Sequence, residues 1–378
     1  MIAFQAGDYA DAREGGAAFP ETVWRAALVS GTRTVRYRMY VLTRDGVRIG
    51  SVPFADGRVD QDSDAFVQRS MACTVPALYA REIDFAAARL QPAMQLILPD
   101  GGICEWPMGV FLPTSPVVSN TEQGVERYAI EAYDQAVVLR DDKLTDALEI
   151  PAGTPYLEAA YAQLQAAGIS RLVRDETGVV LPATLQFEMG ASRLDVVNRL
   201  LAAINYRPVW FDAYGNARFT AYIPPYGRPA LHSYAADAKS VISPACDRAL
   251  DTFEIPNVIV CVVSRDDAAL TSRWENANPA SALSTTRRGR RVVTLVTLED
   301  VADQETLDEY AQRLGNQATA AAEEVSFETL TMPGHGAWDV VHLDLSNDIF
   351  GRYEEATWSM DLTPKGRMRH TARKVVMV

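Results

Sequence analysis

Alternation of apolar and polar residues predicts short β-strands along the first third of the chain. Apolar side chains occupy every second position from Val35 to Val41, and Asp45-Gly46 separates this run from a second one at 47–49. An Asp-Gly pair between two alternating runs predicts a β-hairpin whose two turn residues have positive φ. Another turn is predicted at Asp56-Gly57. The remaining strands predicted in this part lie at 66–75, 94–98, 104–112 and 126–132. Many short strands with glycine-rich turns are typical of a closed or nearly closed barrel.

From about residue 150 the spacing of apolar residues changes to that of helices. Thr154-Pro155 begins one predicted helix, since proline suits the first helical position, and Gly168 ends it. Ser192, with an acid three residues later, begins a second helix in capping-box spacing. A hairpin over 207–223 follows directly. The sequence therefore predicts a unit of two helices and a hairpin after the all-β part.

Strands return in the last third of the chain, around one long helix. A strand is predicted at 257–263, and another at 292–298 follows a polar loop. Asp303 can cap the next helix, because its carboxylate accepts hydrogen bonds from the unpaired amides of the first turn. At Val325 the period switches from 3.6 to 2, which predicts another strand. The last two strands are predicted at 353–362 and 370–377.

Three segments resemble the tail hub proteins, which form the central baseplate or tail-tip component of long-tailed phages and related contractile injection systems. The first is DVADQETLDEYAQRL followed by MPGHGAWDVVHL. The second is GGICEWPMGVFLPTSPVV followed by YAIEAYDQAVVLRDDKL, in which Asp134 opens a short helix that ends at Lys143. The third is PAGTPYLEAAYAQLQAAGI with FEMGASRLDVVNRLLAAINYRPVWFDAYGNARFTAYIPP. Together they extend the resemblance over residues 35–378.

The resemblance implies a mainly-β fold with an α+β insertion, in which two tail-tube-like β-barrel domains flank a helix-helix-hairpin middle domain. We accordingly predict four parts, which are an N-terminal arm at 1–34, a first β-barrel domain at 35–145, the α+β middle domain at 146–240 and a second β-barrel domain with a helix at 241–378. The helix that Asp303 caps is expected to plug or buttress the second barrel.

The same resemblance implies a structural virion protein with no enzymatic activity and no cofactor. It implies a homotrimer, whose paired barrels present pseudo-sixfold symmetry and whose ring joins the tail tube and distal tail ring to the tip. The expected partners are the distal tail protein, the tail tube protein, the tape measure protein and a tip, fibre or spike protein. DNA is expected only in transit through the lumen. The alternatives are a tail-associated cell-wall hydrolase or glycan-binding module, and a component of an injection system or domesticated particle with the same fold.

Composition and charge narrow these expectations. The chain has 378 residues, of which 48% are hydrophobic and 22% charged, enough for two or three globular domains. Its formal net charge of −13 divides into −7 in residues 1–150, +1 in 151–240 and −7 in 241–378. This sign disfavours stable nucleic-acid binding, whereas two acidic barrels would give a repelling lining along which DNA slides. The sequence shows no signal-peptide pattern and no apolar run of about 18 residues, so we expect no membrane binding and assembly of the virion tail in the host cytoplasm.

Candidate catalytic and metal-binding chemistry is sparse. The sequence has no nucleophile elbow, phosphate-binding loop, dinucleotide fingerprint or zinc-protease motif. His335, Asp339, His342 and Asp344 lie close together in sequence. Strand alternation places Asp339 on the face opposite to His342, so we predict no metal site there.

The remaining acids and the cysteines are interpreted as structural. The segment 344–355 has acids at calcium-loop spacing, but Ile349 stands where the loop requires glycine. Adjacent acids cannot face one cleft and are interpreted as solvated, and these pairs are Asp141-Asp142, Glu323-Glu324 and Glu354-Glu355. The cysteines occur singly in apolar surroundings, which predicts buried free thiols at Cys73, Cys104, Cys246 and Cys261.

One basic cluster, Arg287, Arg288, Arg290 and Arg291, stands out in this acidic chain. Two interpretations remain open, a solvated loop tip or a contact with an acidic neighbour or with passing DNA. We take the four arginines as a possible contact patch. The sequence predicts no catalytic, cofactor-binding or metal-binding residue.

Overall fold

The structure is a computed structural model that describes residues 21–30, 33–120, 124, 126–237, 240–264, 269–346 and 348–377. Strands account for 42% of the structure and helices for 17%, so the predicted mainly-β fold is confirmed. The arm predicted at 1–34 lies mostly outside the described residues, apart from the helix that begins at Glu21 and the residues around it.

The elements fall into three consecutive stretches. The first contains α1 (Glu21–Leu28), β1 (Thr34–Leu42), β2 (Arg48–Val52), β3 (Ala55–Asp62), β4 (Arg69–Pro76), α2 (Ala77–Ala80), β5 (Arg89–Ile97), β6 (Ile103–Pro107), β7 (Leu112–Pro113), β8 (Val117–Asn120) and β9 (Glu126–Tyr133). The second contains α3 (Ala136–Asp141), β10 (Leu148–Ile150), α4 (Tyr156–Ala166), β11 (Leu172–Arg174), β12 (Leu185–Phe187), α5 (Arg193–Ala202), β13 (Trp210–Phe211) and β14 (Ala217–Phe219). The third contains β15 (His232–Ala235), β16 (Ile242–Leu250), β17 (Val258–Ser264), β18 (Ala269–Glu275), α6 (Thr285–Arg288), β19 (Val293–Leu298), α7 (Gln304–Ala320), β20 (Glu323–Leu330), β21 (Val340–Asp344), β22 (Phe350–Asp361) and β23 (Arg367–Lys374).

The largest sheet contains 11 strands that come from both ends of the chain. Its main order is β16-β20-β23-β22-β3-β4-β9-β7, with β21 and β15 added beside β22 and β8 beside β9. The two ends meet where β3 pairs antiparallel with β22, from Thr357 opposite Asp62 to Asp361 opposite Arg58. Within the described residues no sheet closes into a barrel, so the two predicted barrels are not confirmed. Strands from all three predicted domains, including β15 of the middle one, form one continuous sheet.

Strand β22 changes its partner halfway along one edge. Its first half pairs with β21 and its second half with β3, while β23 pairs along the other edge. A bulge interrupts the register with β23 between Glu355 and Thr357, at the same place as the change of partner. Because a bulge shifts the alternation of side chains, Glu355 before it and Trp358 and Met360 after it are all buried.

Three hydrophobic cores underlie the sheets. The largest joins the four-stranded antiparallel sheet β2-β1-β5-β6 to the 11-stranded sheet, and its members run from Leu28 to Ala372. The second lies within the middle stretch, from Ala136 to Phe219, around α4 and α5. The third lies between α7 and the small sheet β18-β17-β19, where Leu307 and Ala311 of the helix meet β17.

Most local predictions from the sequence are confirmed. Asp303 caps α7 by accepting a hydrogen bond from the Thr306 amide at 2.8 Å, and Ser192 caps α5 in the same way from Asp195 at 3.0 Å. The predicted β1–β2 hairpin forms, with Gly46 at φ 84°. Asp45 is not among the described residues with positive φ, so only one of its two turn residues takes that conformation.

One predicted turn is wrong. Asp56-Gly57 does not separate two strands but lies inside β3, where Asp56 has φ 51° and the register with β4 shifts. Asp56-Gly57 therefore forms a β-bulge inside a strand instead of a turn. Because a turn was predicted there, strand β3, which pairs with β22, was not predicted.

The cysteines match the prediction of free thiols. All four are free; Cys73, Cys104 and Cys261 are buried, whereas Cys246 is half-buried. Burial raises the pKa of Cys73 to about 12 and that of Cys261 to about 11, so both are protonated near neutral pH. As for membranes, the helices among the described residues are too short or too polar to span a bilayer.

A glycine at the α7 interface gives a first prediction. A Cβ atom added to Gly315 would lie 2.2 Å from Cδ2 of Trp274. Helix propensity alone would make Gly315→Ala stabilising by about 1 kcal/mol, but we expect a loss of about 1–3 kcal/mol in the free energy of unfolding from overpacking. Urea unfolding of Gly315→Ala, alone and combined with Trp274→Leu, measures this, and the loss should shrink in the double variant. A stabilised single variant would contradict the tight contact.

Candidate functional site: a buried histidine and glutamate network

Two adjacent glutamates on β22 point to opposite sides of the sheet, as alternate residues of a strand do. Glu355 faces the core, and its side chain has no exposed surface. Glu354 faces the middle stretch, where it pairs with Arg207 at 3.2 Å and with Arg228. A single strand therefore carries a fully buried carboxylate on one side and a half-buried carboxylate on the other, and each has its own set of partners.

Glu355 lies between two histidines that are far apart in sequence. Its Oε2 is 2.6 Å from Nδ1 of His335, and its Oε1 is 2.6 Å from Nδ1 of His370. All three side chains are fully buried. An ionised carboxylate can only accept hydrogen bonds, so each Nδ1 carries the proton and donates it.

The outer nitrogens of the two histidines are also engaged. His335 Nε2 lies 2.9 Å from the Tyr234 hydroxyl, and His370 Nε2 lies 2.9 Å from the Thr329 hydroxyl. Burial lowers the pKa of His370, so this ring is neutral with its proton on Nδ1, and the Thr329 hydroxyl donates to its Nε2. Both histidines thus use both ring nitrogens, which suits a structural hydrogen-bond network better than a general base.

Aromatic stacking fixes the rings in place. His232 stacks on His335 with ring centroids 3.8 Å apart, and His370 stacks on Phe327 at 4.6 Å. His232 and Tyr234 are two residues apart on β15, so both face the core from one strand. The network therefore ties together β15, β20, β22, β23 and the loop 331–339 between β20 and β21.

The loop 331–339 is held by bonds to the first part of the chain and to itself. The Trp338 amide donates to the Ser63 hydroxyl at 3.2 Å, and Trp358 Nε1 donates to the Gly336 carbonyl at 3.1 Å. Asp339 accepts from the Gly336 amide at 2.6 Å. These bonds place His335 at the point where β22 leaves β21 for β3.

The donor set resembles that of a metal site, and the distances decide the question. His335, Glu355 and His370 form one group of possible ligands, and His232, His335 and Asp339 form another. In a tetrahedral site with ligands at about 2.1 Å from zinc, ligand atoms lie roughly 3.4 Å apart. The observed spacing of 2.6 Å is that of a charge-assisted hydrogen bond. For His335, Glu355 and His370, the spacing therefore fits hydrogen bonds better than a shared metal ion.

Burial and neighbouring charge set the ionisation of the network. Burial would raise the pKa of Glu355, but interaction with His335 and hydrogen bonds from both histidines outweigh it, so this pKa lies below its ordinary value. Burial lowers the pKa of His370 although Glu355 opposes this, and burial with His335 lowers that of His232. Burial, followed by the charge of Glu355, raises the pKa of Asp339 to about 6. At neutral pH the network holds an ionised glutamate and a neutral His370.

On the other side of β22, the Glu354 carboxylate anchors the middle stretch. Arg207 is buried, and its guanidinium lies 4.4 Å from the centre of the Trp338 ring. Burial lowers the pKa of Arg207 to about 10, which leaves it charged at neutral pH. Arg228 also donates to the Trp338 carbonyl at 2.6 Å. Two arginines, a glutamate and a tryptophan thus join the hairpin unit to the sheet.

Two adjoining clefts separate the middle stretch from the sheet. The first has a volume of about 470 Å³ and is lined in part by Trp106, Arg171, Trp210, His335 and Asp339. The second, of about 430 Å³, shares Trp210 and Asp339 with it. Asp212 also lines the first cleft, but it accepts hydrogen bonds from the Tyr214 and Asn216 amides, which fix it as a turn residue.

The structure separates the residues that sequence proximity grouped. His335 and Asp339 come together in the core, whereas His342 packs against Phe350 and Asp344 is exposed. The interpretation of Glu354-Glu355 as solvated acids is wrong, because both lie mid-strand and are paired. The acids at calcium-loop spacing do not converge, because Glu355 faces the core whereas Asp344 is exposed.

The sequence analysis missed the convergence of His232, His370 and Glu355. Alternation around His370, with Met368 and Ala372 also buried, could have placed it on the inner face. No local signal links it to Glu355.

The arginine cluster lies around α6 at the edge of the small sheet. Arg287, Arg290 and Arg291 are exposed and Arg288 is half-buried. Arg288 donates to the carbonyls of Ile255 at 2.7 Å and Phe253 at 2.6 Å, and Arg290 donates to that of Phe253 at 2.5 Å. Two of the four arginines therefore hold a loop, and two extend from the surface.

Comparison with known proteins finds likeness in structure alone. No protein-family model matches the chain, and no curated protein matches its sequence. A tail protein from Neisseria meningitidis is similar with TM-score 0.64 and 14% identity, covering 90% of this chain and 97% of that one. The prophage MuSo2 tail protein from Shewanella oneidensis is similar with TM-score 0.61 and 11% identity, covering 89% of this chain and 98% of that one. A prophage tail protein from Listeria monocytogenes is similar with TM-score 0.55 and 12% identity, covering 89% of this chain and 94% of that one. The resemblance to phage tail proteins is confirmed at the level of the fold.

Removing the central carboxylate should destabilise the fold strongly. Glu355→Ala leaves two buried imidazole N–H groups without an acceptor, and we expect a loss of about 3–5 kcal/mol in the free energy of unfolding. Glu328→Ala is the control, because Glu328 pairs only at 3.6 and 3.9 Å on the surface and should cost less than about 1 kcal/mol. Chemical denaturation measures both, and similar losses would contradict the network.

The lowered pKa of His370 predicts a pH dependence of stability. In the unfolded chain His370 takes up a proton below about pH 6.5, whereas in the folded protein its lowered pKa keeps it neutral to a lower pH. The contribution of neutral His370 to the free energy of unfolding is therefore present above about pH 6.5 and is lost as the pH falls through the folded pKa. His370→Asn can keep the donor to Glu355 but cannot titrate. Between pH 7 and 5 we expect the wild type to lose about 1 kcal/mol more than the variant. Equal losses in urea titrations would contradict the neutral His370.

Proposed function

We propose that the chain is a structural tail hub of a phage or phage-derived particle. The observation that carries the proposal is the likeness to three tail proteins along nearly the whole length of both chains. A match of this extent supports a whole protein of one architecture better than a shared domain on unrelated proteins. In this proposal the protein is part of the virion tail, which is assembled in the host cytoplasm.

In the proposed assembly three copies form a ring that joins the tail tube and distal tail ring to the tip, fibre or spike. Each copy contributes two barrel-like bodies, one from each end of the chain, joined by the shared sheet and separated by the middle domain. The pairing of β3 with β22 supports this role, because it holds the two bodies in one fixed relation. A ring that transmits force between tube and tip needs such rigidity.

The ring would line the channel for DNA, and its other partners would be the tape measure protein and the distal tail protein. The charges of −7 at each end of the chain support an acidic lumen that DNA passes without sticking. DNA would therefore be in transit only. The arginine cluster would face a protein neighbour and not the lumen.

An enzymatic role is the second candidate, and one observation bears on it. Asp212 and Asp339 line the same cleft, and Asp339 has a raised pKa of about 6. Both carboxylates are bonded to amides of their own loops, which favours a structural role. Release of soluble fragments from peptidoglycan by the wild type, lost in Asp339→Asn, would favour a tail-associated hydrolase instead.

Assembly state tests the proposal directly. We expect mass photometry of the purified chain, alone or with a distal tail protein, to show particles of three times the monomer mass. The control is Glu355→Ala, which should lower the trimer fraction only as far as it lowers the folded fraction. A wild-type protein that stays monomeric in every mixture would contradict the hub.

A further inference from the structure

The small sheet β18-β17-β19 has one covered face and one open face. Paired residues of neighbouring strands share a face, and Val260 of β17 lies opposite Leu295 of β19 and Arg273 of β18. The intervening residues, such as Cys261, face α7 and belong to its core. The outer face therefore consists of Val260, Val262 and their neighbours on β19 and β18.

The middle of this outer face is apolar and open among the described residues, whereas Val258 at its end is buried and Arg273 and Glu275 of β18 add charge beside it. Val293 is 53% exposed and Leu295 is 66% exposed, while Val260 and Val262 are half-buried. The β17 sequence, VIVCVVS, is a continuous apolar run of the kind found in strands buried on both faces. The strand thus has the composition of a covered strand, and an apolar patch of this kind marks an interaction surface.

Basic side chains border the face. Arg291 immediately precedes β19, and the pKa of Glu275 on the outer face is lowered by a hydrogen bond from Thr285 and by the charges of Arg273 and Arg291. Arg291 is therefore next to the open face. Arg287, on α6, is exposed at the same end of the sheet. Phe253, whose ring lies 4.6 Å from the Arg290 guanidinium, is a further exposed apolar side chain near the arginine cluster.

We propose that this outer face, with its border at Arg287 and Arg291, docks a second copy of the chain within the ring. The inference rests on the proposed function and names the surface through which copies meet. A chain of net charge −13 repels its own copies, so contact requires a local patch of opposite charge, and the arginines provide it.

The sign of the border favours one symmetry of the contact. In a two-fold contact the same patch meets itself, which would bring Arg287 and Arg291 of both copies into one interface with Glu275 as the acid of that face. The border instead fits an acidic, partly apolar surface elsewhere on the neighbouring copy. Such a head-to-tail contact repeats from copy to copy, and it closes into a ring of three when each contact turns the next copy by a third of a full rotation.

Substitutions on the outer face test the proposal. Leu295→Lys places a charge in the middle of the patch, and Arg287→Glu with Arg291→Glu reverses the border while leaving Arg288 and Arg290 to hold their loop. We expect each to weaken self-association at least about tenfold in mass photometry across a concentration series. Association of the wild type should also weaken with added salt. Leu78→Lys on α2 is the matched control, since Leu78 is 73% exposed and distant in sequence from the face, and it should assemble like the wild type.

A milder variant guards against misfolding. Val293→Thr keeps size and strand propensity while it replaces an exposed methyl with a hydroxyl, and it should weaken association by less than Leu295→Lys. Rings that form equally well in all outer-face variants would overturn this docking face and leave the proposed hub standing. A wild type that never assembles would overturn both.

Discussion

A buried carboxylate must be matched by donors, and in this protein that requirement falls on Glu355. An ionised glutamate without partners would cost several kcal/mol in the core. Its two histidine donors come from β23 and from the loop before β21, and they are fixed in turn by Tyr234 and Thr329. The network can therefore form only when strands from several places in the chain have assembled in one register.

Glu355 lies where the main parts of the fold meet, so its hydrogen bonds depend on how those parts are joined. It lies at the bulge where β22 exchanges β21 for β3, which is where the two ends of the chain join in one sheet. On the opposite side of the same strand, Glu354 binds Arg207 of the middle stretch and Arg228, which follows that stretch. One strand thus organises three parts of the molecule.

Much of the local structure could be predicted from the sequence, because local physics determines it. The caps at Ser192 and Asp303 and the β1–β2 hairpin depend on neighbouring residues alone. The shared sheet could not be predicted, since Asp56-Gly57 has the composition of a turn and conceals β3, and β15 and β16 lie in a stretch that reads as a polar connection. The histidine network escaped for a related reason, because its members approach one another only through long-range strand pairing. The exposure of the β19 valine and leucine likewise becomes visible only when the register is known.

In the proposed assembly, copies of this chain form a ring around a channel. Electron cryo-microscopy of the purified assembly tests it most directly. We expect three copies around an open bore wide enough for a DNA duplex, with carboxylates along its wall and the outer face of β18-β17-β19 buried between neighbours. A monomer, a two-fold dimer or a ring with a basic bore would contradict it.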